Sequence, residues 1–172
     1  MGTVVQVSTL THATTYVAAN LLRSIKQFVV GSGLPADLLV GQWEVLERGI
    51  ATWLESRHLA TLTLEIFEAG SSSDSGLVGR FDFDIDYGYY PDSDGTLWLD
   101  SDAVAFAIRK NGSYASLCKY RVVAINRDGQ PDVSGWSSTT LRGTNGFTQQ
   151  TLGTSLGGGS LGVGLSMYRK NP

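Results

Sequence analysis

One cysteine, two histidines and four prolines are all that the 172 residues hold of those types. A single thiol allows no disulfide framework, and Cys118 lies in an alternating run, so it reads as a small buried hydrophobe and not as a nucleophile. His12 and His58 stand far apart in sequence, which leaves no zinc spacing, and His58 reads as a charge partner at a helix end. Basic blocks are missing too. With 13 Lys and Arg against 16 Asp and Glu the net charge is -3, so nothing matches a phosphate backbone and nucleic acid is not expected as a direct ligand. No apolar run approaches the roughly 20 residues of a membrane-crossing helix, and the start of the chain lacks the basic and apolar regions of a signal peptide. The expectation is a soluble, cytoplasmic protein with no membrane partner, metal or cofactor. A chain of this length is read as one domain, able to remove roughly two-thirds of its unfolded surface from water without staples.

What is present begins with a hairpin. Leu62, Leu64 and Ile66 alternate with Thr61, Thr63 and Glu65, and Phe81, Phe83, Ile85 and Tyr87 alternate with Asp82, Asp84 and Asp86. This period of two predicts half-buried strands within Leu59 to Tyr89, one face in the core and the other wet. Gly, Ser and Asp between Ala69 and Gly76 supply the turn. A lone hairpin is marginal, so helices must cover its apolar face and other strands must extend it.

The remaining elements follow in order. Met1 to Ser8 is short, uncharged and Val-rich, with Val5 and Val7 at strand spacing, and reads as a tail that is loose or adds a strand. A helix is expected from Thr9, its stripe being Tyr16, Val17, Leu21, Ile25, Phe28 and Val29 and its end Gly31 and Gly33. Pro35 suits the first turn of a short second helix, and Trp43, Leu46, Ile50, Trp53 and Leu54 mark a third. After a Gly, Pro and Asp-rich connection, Asp100 or Ser101 can cap a helix carrying Val104, Phe106, Ala107 and Ile108. Leu117 to Ile125 then reads as a strand covered in part on both faces. Helix, helix, hairpin, helix, strand is an α+β order.

The segment from Arg127 to Pro172 has a different composition. It holds 10 of the 21 glycines, and no charged residue lies from Gly143 to Tyr168. Disordered tails stay in solution through charge and few apolar groups, whereas this one carries Phe147, Leu152, Leu156, Leu161, Val163, Leu165 and Met167. It needs a surface to lie on, and its glycines raise the entropy lost on ordering, so it reads as an arm that can dock in more than one way.

The catalytic signals dissolve on inspection. Gly153-Thr154-Ser155-Leu156-Gly157 fits the spacing of a nucleophile elbow, but no Asp, Glu or His follows Ser155 to complete the triad in chain order. Gly157, Gly159 and Gly162 fit a dinucleotide fingerprint without the strand, helix and acid that it requires. Asp82, Asp84, Asp86, Asp92, Asp94, Asp100 and Asp102 are read as a solvated strand face, turns and caps, since no glutamate closes a calcium ladder. A hydrolase using these carboxylates stands as the alternative function. Trp136, held among Pro131, Asp132, Ser134 and Gly135, either pins the start of the arm or touches a bound peptide.

Read together, several stretches resemble the bacterial HORMA domain family. They are Thr11-His12 before the Tyr16 helix, Trp53-Leu54, Leu64-Glu65-Ile66-Phe67, Asp84-Ile85-Asp86-Tyr87-Gly88, Asp94-Gly95, Lys119-Tyr120, Pro131-Asp132-Val133 and Gly135-Trp136-Ser137, in matching order along nearly the whole chain. The resemblance implies a single HORMA domain over 1–172: a tail at 1–8, an α+β core at 9–126 with an antiparallel sheet, and a C-terminal safety belt at 127–172. It implies a non-catalytic regulator that traps a closure-motif peptide as an added strand. It further implies two partners in anti-phage signalling: a cGAS/DncV-like nucleotidyltransferase that the closed form activates, and an AAA+ ATPase that resets the belt. The tail that such an ATPase would pull is Gly2, Thr3, Val4, Val5, Gln6, Val7 and Ser8. The expected peptide contacts are Trp136, Leu141, Phe147, Leu161, Val163, Leu165 and Met167. A structural or inhibitory adaptor is the second alternative.

Overall fold

In the computed structural model the described residues are 2–6, 10–72, 75–88, 96–114, 117–158 and 161–172, with the backbone alone described at 2–6, 10–12, 96–98, 101 and 158. The alternation that marks the hairpin folds as expected, into β2 (Leu59–Glu68) and β3 (Leu77–Asp86), paired antiparallel with Leu62 opposite Phe83 and Leu64 opposite Phe81. On one side β2 pairs with β5 (Cys118–Asn126). On the other, β3 pairs with β7 (Leu161–Lys170), which also pairs with β6 (Phe147–Gly158). Then follow β4 (Thr96–Asp100) and β1 (Gly2–Gln6), giving a seven-stranded sheet in the order β1-β4-β6-β7-β3-β2-β5 among the described residues, every neighbouring pair antiparallel. The segment read as a tail is therefore the far edge strand over Gly2 to Gln6, while Val7 and Ser8 lie outside the described residues. Tyr89, Asp92, Asp94 and Gly95 lie outside them as well.

Helices α1 (Leu10–Gly31) and α3 (Trp43–Glu55) cover the apolar face, with the short α2 (Asp37–Gly41) between them and α4 (Ser101–Asn111) beside α1. The stripe on α1 lands where its spacing places it: Val17, Leu21, Ile25, Phe28 and Val29 are buried, and Phe28 stacks on Phe81 at 4.0 Å between ring centroids. Burial of such a ring is worth about 2 to 3 kcal/mol, so this contact fixes α1 over the hairpin. Asp100 caps α4 by accepting from the Asp102 backbone N–H. Two details depart from expectation. Pro35 precedes α2 by two residues and its carbonyl accepts from the Tyr120 hydroxyl. Phe106 lies off the stripe of Val104 and Ala107 and is half exposed.

The opposite face of the hairpin is not the wet surface that alternation alone suggests. Thr63, Glu65 and Asp82 are buried, and Asp82 accepts from Thr63 Oγ1 at 2.9 Å and from Arg80 Nε at 2.8 Å. A buried carboxylate persists only when paired in this way. Asp84, bonded by Thr61, and Asp86, bonded by the Gly88 N–H, remain exposed as expected. Glu65 is covered by Arg142, from the chain between β5 and β6.

Candidate functional site

Among the described residues β5 is the outermost strand on its side of the sheet and has a single strand partner, β2. Half of its main-chain N–H and C=O groups therefore point away from the sheet, and such an edge is a template for another strand. The segment 127–146 that follows it forms a strap, and the two anchors of the strap lie on opposite faces of the sheet.

The first anchor is on the helix face. Trp53, on α3, donates its indole N–H to the Pro131 carbonyl at 2.7 Å, and Trp136 donates its own to the Val45 carbonyl at 3.0 Å. The two rings meet edge to face at 4.9 Å, and Arg48 donates to the Ser134 carbonyl. Gly49 makes room for this: a Cβ there would lie 2.2 Å from Trp136 Nε1. Gly135, at φ +93°, turns the strap so that Trp136 reaches the helix.

The second anchor is on the outer face. Glu65, fully buried in β2, accepts from the Arg142 backbone N–H at 2.7 Å and from its guanidinium at 3.1 Å. The same carboxylate accepts from Arg121 Nε at 2.6 Å, and Arg121 also donates to Thr139 Oγ1 and the Thr140 carbonyl. Arg142 lies over the Phe67 ring at 3.7 Å and donates to the Ser75 carbonyl. One carboxylate thus gathers two arginines, one from β5 and one from the strap.

Because one anchor sits on α3 and the other on the outer face, the strap must cross the β5 edge between them. No main-chain hydrogen bond joins residues 130–142 to β5 among the described residues, so the crossing stands off the strand. The space beneath it is two adjoining cavities of about 290 and 340 Å³, both lined by Val122, Val123, Trp136, Ser137, Ser138 and Thr139. An extended peptide fits such a slot, with its main chain on the β5 edge and alternate side chains to either side.

Of the seven residues expected to touch a peptide, Trp136 lines this channel. It also pins the strap, which is the first of the two readings of that residue. Leu161, Val163, Leu165 and Met167 are at most 3% exposed on an interior strand, where they form the floor beneath the helices. Their strand pattern is the pattern of a core strand, and they do not line the channel. Leu141 and Phe147 are half-buried outside it. The expectation missed Glu65 and Arg142, whose pairing spans 77 residues, and Gly49, whose only signal is a glycine within a helix.

The remaining chemical candidates have structural roles. Ser155 is buried within β6 and donates to the Val163 carbonyl at 3.4 Å, so it sits on no strand-to-helix elbow. Cys118 is free and half-buried, and His58 Nδ1 lies 2.9 Å from Ser56 Oγ. No cluster of three or more His, Cys, Asp or Glu suited to a metal occurs among the described residues, and none of their helices is long and apolar enough to cross a membrane.

A family model described as bacterial HORMA domain 2 matches residues 2–171. No curated protein matches the sequence. Among solved structures, a chain of the mitotic checkpoint complex is similar with TM-score 0.72 at 9% identity, over 93% of this chain and 99% of that one. C. elegans HTP-1 bound to the HIM-3 closure motif gives 0.71 at 9%, over 95% and 92%. A chain of the E. coli MS115-1 CdnC:HORMA-deltaN complex gives 0.55 at 9%, over 98% and 93%. At such identities the likeness is one of fold, and it agrees with the α+β architecture above.

Proposed function

Since the chain belongs to the bacterial HORMA domain 2 family, we propose that it is a peptide-binding regulator without catalytic activity of its own. A closure-motif peptide adds as a strand to the β5 edge and is enclosed by the strap. The observation that carries this reading is the strap bridging a free strand edge from two anchors on opposite faces. Backbone hydrogen bonds along β5 supply affinity, and the side-chain surroundings to either side supply selectivity. Enclosure makes release depend on strap opening, so the bound state is long-lived and the peptide biases a two-state element.

In its closed, peptide-bound form the protein binds and activates a cGAS/DncV-like nucleotidyltransferase in anti-phage signalling, and an AAA+ ATPase resets it. Support for the first partner comes from the fold shared with the HORMA chain solved in complex with CdnC. For the second, Gly2 to Gln6 is a suitable handle: among the described residues β1 is an edge strand paired with β4 alone, so pulling on it peels one ladder at a time. The domain accordingly divides at residue 127 into a core and a belt, the belt being the strap together with the β6–β7 hairpin.

The test combines purified protein, a candidate peptide and the cognate nucleotidyltransferase, with cyclic oligonucleotide synthesis as the readout. Stimulation that requires both protein and peptide is expected. Peptide binding without stimulation would leave a structural or inhibitory adaptor as the function.

A further inference from the structure

One polar group in the channel has incomplete chemistry. Asn126, the last residue of β5, lines the channel near Trp53 and Pro131. Its Oδ1 is shielded from solvent and has no hydrogen-bond partner among the described residues. A buried acceptor without a donor costs folding free energy, and such atoms are few in folded proteins because any apolar isostere would be better tolerated. Asn126 is not needed to form the strand either, since asparagine is disfavoured there.

We propose that Asn126 is a specificity-determining residue of the channel: a strand bound on β5 draws its amide out of the shielded position, and Oδ1 then accepts an N–H or O–H from that strand. The inference rests on the peptide reading above and names the chemistry of that peptide. Charge in the lining is confined to Asp132 and Arg121, and the Arg121 guanidinium is committed to Glu65, Thr139 and Thr140. Val45, Leu46 and Trp136 form the wall toward α3, whereas Ser137, Ser138 and Thr139 line it from the strap. A strand presents its side chains alternately to two sides. Asp132 is exposed to solvent, which screens its charge. The fitting ligand is therefore a largely uncharged segment in which aliphatic residues alternate with small hydroxyl or amide residues, and one of its donors completes Asn126.

The probe is a synthetic library of ten-residue uncharged peptides, Val, Leu or Ile alternating with Ser, Thr, Asn or Gly, presented to the full chain and to its Asn126→Leu variant. Wild type enriches a subset, and the variant binds that subset about tenfold more weakly, the worth of one hydrogen bond to a shielded acceptor. In the free protein Asn126→Leu raises the unfolding midpoint, because it removes the unsatisfied atom; a residue of merely structural role would lower it. N-methylating each amide of an enriched peptide in turn, and truncating each polar side chain in turn, identifies the donor. The modification that removes it weakens binding to wild type and has no further effect on the variant. Equal enrichment by the two proteins, or modifications that all act additively with Asn126→Leu, would overturn the role of Asn126 and leave the peptide channel standing. Enrichment by neither protein would overturn the peptide chemistry inferred here and the role of Asn126 with it, while the peptide reading itself is decided by the nucleotidyltransferase assay above.

Discussion

A single methyl group at Gly49 tests whether the strap is held by Trp136. Gly49→Ala places a Cβ 2.2 Å from Trp136 Nε1 and 2.5 Å from Cε2, and a rigid indole cannot bend away as a flexible side chain would. The ring must leave its seat. It then loses the N–H bond to the Val45 carbonyl, about 1 kcal/mol, and the edge-to-face contact with Trp53, about 1 kcal/mol more. The closed strap is thereby destabilised by about 2 kcal/mol, roughly a 30-fold shift toward opening. Alanine for glycine inside a helix returns about 1 kcal/mol to α3 itself. Global stability should therefore fall by only about 1 kcal/mol, while strap opening changes far more. Trypsin reads this difference at Arg142, which is 5% exposed and bonded to Glu65 when the strap is closed. Cleavage there should accelerate by up to about 30-fold. Gly41→Ala is the control, since a methyl at Gly41 meets nothing within 4 Å. If Gly49→Ala leaves cleavage at Arg142 as slow as in wild type, Trp136 is not what holds the strap.

Glu65→Gln removes the charge that two arginines share; breaking such a buried network costs about 3 kcal/mol and should lower the thermal midpoint by about 9 °C, as scanning calorimetry would record. Leu165→Ala should cost about 3 kcal/mol through an interior cavity yet leave peptide affinity intact in a binding titration at a temperature where the variant is folded, because Leu165 lies in the core and not in the channel. Burial pushes Tyr87 up to about 12, even though Arg127 and Arg57 lie against its ring. The folded chain thus holds this phenol neutral while the unfolded chain ionises it near the ordinary value of about 10. That contribution is complete below about pH 10 and is lost as pH rises toward 12, so the urea midpoint should fall more steeply with pH across this range in wild type than in Tyr87→Phe.

The parts of the molecule written in local pattern were readable before any coordinate. Alternation across Leu59 to Glu68 and Leu77 to Asp86 marks the hairpin because strand sidedness is a property of neighbours in sequence. Trp136 stood out because a large aromatic among turn residues needs a reason to be there. What could not be read depends on contacts made across the chain. Glu65 looks like a solvent-facing residue, since alternation reports which face it occupies and not what later covers that face. The run from Leu161 to Met167 looks the same whether it is a core strand or a binding arm. Nothing in Cys118 to Asn126 marks that strand as an edge, because edges are made by topology.

The strap and the hairpin that follows it are held by different physics, and this divides the belt into two parts. The strap is fixed at separate points by two indole N–H bonds, an aromatic contact and the Glu65 network. Adding about 2 kcal/mol for the Trp136 seat and about 1 kcal/mol for the Trp53 bond to Pro131 to about 3 kcal/mol for the carboxylate network gives an opening cost of about 6 kcal/mol, so thermal motion opens it rarely but repeatedly. Hairpin β6–β7 is held along both sides of β7 by ladders to β3 and β6, with Leu161, Val163, Leu165 and Met167 in the core. Exposing those four side chains alone costs about 6 to 12 kcal/mol at the usual burial values, before any ladder is broken. Strap opening can therefore proceed spontaneously on a slow timescale. Moving the hairpin is by contrast the costlier and rarer step, because two ladders and four core side chains must be given up together.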